Sequence, residues 1–167
     1  MSINNKEYVQ QIVTSISNFL EIPACHVSYL KLDGDYQNVT GFFVKEKYLI
    51  NVNLLVINRL SDLELAAFII HEVRHAYQYV QVKELLPVKE DKEIINKWQD
   101  EIYSYCQPHA DSNQYLQQTV EIDAIAFTAY FCKRFFQQNL IVPKEIEKDV
   151  KTRISEIELT YFDKNVV

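Results

Sequence analysis

Two glycines, Gly34 and Gly41, are all that the 167 residues contain. A phosphate-cradling loop of the Walker A or G-x-G-x-x-G type needs several, because only backbone without a Cβ lets successive amides close on a phosphate. Glycine-loop nucleotide binding is excluded by that count. So few glycines also suit helices joined by short links better than a turn-rich sandwich or barrel. Cysteine is scarce as well: Cys25, Cys106 and Cys132 are an odd number, widely spaced, with no C-x-x-C pair. Neither a disulfide framework nor a cysteine-rich zinc site is built that way. Basic residues are in deficit, 17 Lys and Arg against 23 Asp and Glu, for a formal net charge of −6 and a pI near 5.2. Nucleic-acid binding through counterion release needs a basic face, and no dense Lys/Arg run exists, so no nucleic-acid partner is expected. The longest apolar runs, around residues 65–70 and 124–132, fall far short of the roughly 20 residues that cross a bilayer. The N-terminal MSINNKEYVQQ lacks the basic and apolar regions of a signal peptide. The expectation is a soluble protein in a reducing cytoplasm, with no membrane partner.

What is present is an ordinary globular composition, 48% hydrophobic and 24% charged, at a length that fills one core. One domain over residues 1–167 is expected. Ile3, Tyr8, Val9, Ile12, Val13, Ile16, Phe19 and Leu20 follow helical spacing, with Asn4 or Asn5 as cap and an end before Pro23. Residues 26–32, 39–44 and 48–53 read as three strands meeting through Asp33-Gly34-Asp35 and Lys45-Glu46-Lys47, which implies a small antiparallel sheet. Ser61-Asp62-Leu63-Glu64 has capping-box spacing and opens a long helix to about Glu84 or Leu85. Three more helices are expected over residues 89–106, 113–138 and 143–160, the last with Pro143 in its first turn. The fold class is therefore α+β, helix-dominated, with the sheet preceding the long helix.

In the middle of that helix stands His71-Glu72-Val73-Arg74-His75, an H-E-x-x-H sequence. Positions i and i+4 share a helical face, so both imidazoles can reach one metal ion, and Glu72 sits beside that face, where its carboxylate can hold a metal-bound water. From the composition, chance matches number on the order of 0.01 per chain of this length. The alternative reading is two exposed histidines on an ordinary amphipathic helix. A third ligand has to come from elsewhere. Residues 76–81 supply neither the glycine nor the histidine of a metzincin. The strongest carboxylate is Glu121, in the otherwise apolar stretch Val120-Glu121-Ile122-Asp123-Ala124-Ile125-Ala126-Phe127, where a buried charge has to be paired or metal-bound. His109, Asp111 and Asp123 remain alternatives. Asp123 is two residues on, turned roughly 200° from Glu121.

H-E-x-x-H on one helix with Glu121 and Ala124 on a later one resembles the gluzincin metallopeptidases, compact ones above all: the minigluzincins and the ImmA/IrrE-like peptidases of bacteria and phages. The resemblance covers roughly residues 39–136 and is carried by His71, Glu72, His75 and Glu121. It implies a zincin-like fold, Zn2+ held by His71, His75 and Glu121, and Glu72 as the base that activates a zinc-bound water to hydrolyse a peptide bond in a peptide or protein substrate. Many gluzincins carry an aspartate four residues after the ligand glutamate to support a zinc histidine; that position here is Ile125. Zincins also let an extended peptide add to a strand beside the metal, for which 48–53 is the counterpart. The runner-up function is a non-catalytic zinc-binding regulatory or interaction module on the same fold.

The remaining signals are read more plainly. His109 is the first candidate for oxyanion donor, set against an ordinary surface-loop role. Arg74 is expected in a surface ion pair, Tyr77 and Tyr115 in packing, and Phe127, Tyr130, Phe131, Phe135 and Phe136 in a core against the last helix. Residues 83–92 read as a solvated link, and Asn38-Val39-Thr40 is a glycosylation sequon only in a secreted chain.

Overall fold

The helical spacing of the first twenty residues does set a helix, α1 (Ile3–Leu20), with Val9, Val13, Ile16 and Leu20 buried. In the computed structural model, which describes residues 3–104 and 112–162, seven α-helices accompany one three-stranded sheet among the described residues. The fold is α+β and helix-dominated. No helix among the described residues is long and apolar enough to cross a membrane. Backbone packing divides the chain into two compact units, Met1–Tyr79 and Val80–Val167.

The first unit holds α1, then β1 (His26–Leu30), β2 (Gly41–Val44) and β3 (Leu49–Asn53), then α2 (Leu54–Ile57) and most of α3 (Asp62–Val82). The sheet corrects the antiparallel expectation. Its order is β1-β3-β2, with β2 antiparallel to β3 but β1 parallel to it, from His26 opposite Leu49 to Leu30 opposite Asn53. The physical reason lies in the two links. Lys45–Lys47 forms a tight 3-10 turn that Tyr48 closes in the left-handed region at φ 49°, which makes a hairpin. The link over residues 31–40 has a 3-10 turn of its own, Gly34–Tyr36, but the turn does not bring β2 against β1; β3 takes the place between them, so β2 and its links act as the crossover that a parallel pair needs. Asn53, fully buried, holds this link in place. Its Nδ2 donates to the carbonyls of Gln37 (3.0 Å) and Val39 (2.8 Å), and its Oδ1 accepts from the Leu55 N–H (3.0 Å), capping α2. Ile50 and Val52 are fully buried as alternation requires, whereas Tyr48 belongs to the turn and not to the strand.

The capping box opens α3 as its spacing requires. Glu64 accepts from the Ser61 N–H (2.8 Å) and hydroxyl (2.7 Å), and Ser61 Oγ accepts from the Glu64 N–H (3.3 Å). Scarcity of glycine shows where helices end: Glu21, Glu84 and Gln137 adopt φ of 56°, 51° and 56°, positions that glycine fills most cheaply. Beyond Glu21 and Glu84, Ile22 N–H returns to Ser17 O (3.0 Å) and Leu85 N–H to Val80 O (3.1 Å), the closing bond of a Schellman motif.

The second unit is helical: α4 (Lys92–Tyr103), α5 (Ser112–Leu116), α6 (Thr119–Phe136) and α7 (Glu147–Phe162). The single helix expected over 113–138 is two, broken at Gln117 and Gln118. The break follows from Glu101 of α4, whose carboxylate accepts from the Thr119 N–H (2.9 Å), the Thr119 hydroxyl (2.8 Å) and the Val120 N–H (2.9 Å). Pro143 is not in the first turn of α7; it accepts from Ile146 N–H (3.2 Å) in a separate turn before the helix. Between α6 and α7 lies a buried ionic cluster. Arg153 donates from Nε to Asp123 (2.7 Å), from one terminal nitrogen to Glu90 (2.7 Å) and from the other to the more exposed Glu156 (2.9 Å). Glu90 is thus buried, not part of a solvated link. Phe127 and Phe131 pack in the core as expected, but Phe135 is 49% exposed.

Candidate metal centre

Apolar side chains fix α3 around the motif: Ile69, Ile70, Val73 and Ala76 are fully buried. With the helix locked, His71 and His75 sit one turn apart, half-buried, their rings edge to face at 4.6 Å between centroids. Their Nε2 atoms are 3.0 Å apart. Glu121 lies in the first turn of α6 and is 1% exposed. One ligand atom from each of His71, His75 and Glu121 forms a group with all members within 4.8 Å of one another. Tetrahedral zinc with bonds of about 2.0–2.1 Å sets its ligands about 3.4 Å apart, so two imidazoles and a carboxylate at these spacings fit a metal ion in donor type and distance. The placement of Glu121 also suits its charge, since the N-terminal turn of a helix favours an anion.

Two contacts orient the side chains beside this group. Glu72 is 7% exposed and accepts through Oε2 from the Phe43 N–H at 2.8 Å. Phe43 is on β2, opposite Ile50 of β3, and its N–H is directed to Glu72. His75 Nδ1 lies 2.8 Å from Oε1 of Gln78, which is 1% exposed. Neither partner was named by the sequence pattern. Gln78 was within reach of it, as a polar residue one turn beyond the second histidine; the Phe43 N–H was not, because a backbone donor leaves no trace in composition. The strand offered for peptide addition, 48–53, is corrected: β3 is paired on both sides, so its backbone is not open to a further strand.

Other residues weighed for the site fall elsewhere. Asp123 is bound to Arg153 and is not in the metal group. His109 and Asp111 lie outside the described residues. Arg74 is not at the surface; it is fully buried, its guanidinium 4.3 Å from the centre of the equally buried Tyr77 ring, because its helical position faces the core. Burial pushes the Cys25 thiol up to about 12 and the Cys132 thiol up to about 11. Both stay protonated at neutral pH and neither offers a thiolate to a metal.

No protein-family model, curated protein or solved structure matches the chain. Any functional argument therefore stands on the chemistry of this group.

Proposed function

We propose that the chain is a zinc-dependent metallopeptidase of gluzincin type, with His71, His75 and Glu121 as metal ligands and Glu72 as general base. The observation that carries the reading is the pairing of a three-donor group with a carboxylate next to it in the helix, Glu72, engaged by a backbone N–H and not included in the group. A structural site has no use for that second acid; a hydrolytic one does. When bound, zinc would supply Lewis acidity, lowering the pKa of a water to about 7 and polarising a carbonyl. Glu72 takes the proton released in the attack at a carboxylate oxygen and returns it to the leaving amine. The Phe43 N–H donates to Oε2 and so restrains the rotation of that carboxylate. Peptide or protein substrates are what the resemblance to gluzincins implies; zinc is the metal because two imidazoles and one carboxylate are its customary catalytic donors.

The test is metal content by elemental analysis, followed by cleavage of a quenched fluorescent peptide library. Wild type is expected to hold stoichiometric zinc, and Glu121→Gln to lose most of it. Glu72→Gln is expected to keep zinc while cleavage drops by at least about 100-fold. Zinc without cleavage in wild type, unchanged by Glu72→Gln, would favour the non-catalytic zinc module. No zinc in wild type would end both readings.

A further inference from the structure

We infer that Gln78 is a positioning residue that sets the tautomer of His75 for metal binding; this rests on the metal-binding half of the function proposed above. A neutral imidazole carries one proton, on either Nδ1 or Nε2, and only the bare nitrogen can bind a metal. The two Nε2 atoms of His71 and His75 face each other at 3.0 Å, so Nε2 is the atom His75 must keep bare. Its proton then belongs on Nδ1. There it meets Oε1 of Gln78 at 2.8 Å, an amide oxygen that accepts and cannot donate. Gln78 is held in that role by burial, at 1% exposure. The pair is local, three residues apart on one helix, so α3 itself places both members. Position 125, where a supporting aspartate was sought, holds Ile125 and offers no such acceptor. An amide differs from a carboxylate in this place: it fixes the proton and the ring orientation without adding negative charge.

The assignment predicts behaviour in the metal-free protein as well as in the zinc form. In nitrogen-15 spectra of histidine-labelled, metal-free wild type, with His75→Asn to assign the signal, His75 is expected as the Nδ1–H tautomer. Gln78→Leu should release it to a mixture containing Nε2–H. Zinc affinity, measured by competition with a chromophoric chelator, should fall 10- to 100-fold in Gln78→Leu. Gln78→Glu keeps the acceptor and should match wild type or bind more tightly. An Nε2–H tautomer in wild type overturns the assignment. So does a Gln78→Leu protein with wild-type affinity, or equal losses in the leucine and glutamate variants, which would mark a role in folding alone. Wild type that takes up no zinc overturns the metal reading and this assignment with it. Wild-type uptake indifferent to Gln78 overturns this assignment only. If Gln78→Leu does not fold, the wild-type tautomer and the glutamate variant still decide.

Discussion

At the start of α3, Ser61 and Glu64 satisfy each other's orphan groups within four residues of chain. At the start of α6, Gln118 makes no side-chain cap bond, and Glu101 of α4 takes the Thr119 and Val120 N–H groups from eighteen and nineteen residues away. The same contrast continues into each helix. His75 on α3 finds its partner three residues on, in Gln78, while Asp123 on α6 finds Arg153 thirty residues on. Both helices contribute to one group of metal-ligating atoms, yet the cap and the His75 partner on α3 are local, while the cap and the Asp123 partner on α6 are remote. Local support survives damage elsewhere; remote support transmits it. Substitutions far from Glu121 should therefore change metal affinity on the α6 side, and substitutions at the α3 cap should not.

The largest effect is expected from Arg153→Met. The Glu90 and Asp123 side chains around the guanidinium are each 2% exposed and Arg153 itself 8%, so the substitution strands buried carboxylates. Breaking a buried pair in this way costs about 3–5 kcal/mol, read as a lower urea midpoint. The Glu156 contact is 47% exposed on the acid side and adds little. Zinc affinity should fall as well, because Asp123 is two residues from Glu121 on the same helix. Retention of full affinity in the folded variant would break the contrast drawn above.

Next comes Gly41→Ala, which tests how self-sufficient α3 is. A Cβ at position 41 would clash with the backbone oxygen of Asn51 and lie 2.6 Å from Cζ of Phe68 on α3. Backbone on one side and a ring on the other leave β2 as the part that moves, at about 1–3 kcal/mol for overpacking. Phe43 moves with it, so the N–H that holds Glu72 shifts. Stability and any cleavage should fall while zinc uptake holds, since Gly41 supports none of the three ligands.

Glu101→Ala should cost about 1–2 kcal/mol by uncapping α6, and Glu101→Gln less, since an amide oxygen still accepts. Because the first turn of α6 carries Glu121, zinc affinity should drop with the cap. An uncapped α6 that binds zinc at full strength would show that the ligand is held by other means.

The difference between local and remote support also decided what could be read from the chain. The capping box at Ser61, the shared face of His71 and His75, and the burial of Glu121 depend on spacing within one helix, and each was legible. So was the divergence of Asp123 from Glu121, which follows from helical geometry. The break before Thr119 was not, because its cause is a carboxylate on another helix. The parallel pairing of β1 was not, because it depends on Asn53 reaching back to Gln37 and Val39, and an asparagine at a strand end reads only as a cap. Arg74 was misplaced for a related reason: an arginine in a motif suggests solvent until the helix face around it is known to be core.

The smallest effect belongs to the α3 cap itself and carries a sign in pH. Hydrogen bonds from the Ser61 backbone first, and from its hydroxyl second, hold the Glu64 carboxyl below its ordinary value of 4.5. A carboxyl depressed on folding contributes stability above its unfolded value and loses that contribution as pH falls through the folded one. Wild type should therefore lose this part of its stability only in acid, below 4.5. Glu64→Gln cannot ionise and should abolish that component of the acid limb. Ser61→Ala retains the backbone bond and should remove only the part due to the hydroxyl. Urea midpoints compared from about pH 3 to 6 for the three proteins measure it. At neutral pH neither variant should alter zinc affinity, since the ligands on α3 lie more than a turn beyond the cap and are held by the buried face of the helix. A change in zinc affinity from Ser61→Ala would mean that α3, like α6, transmits damage from its first turn to its ligands.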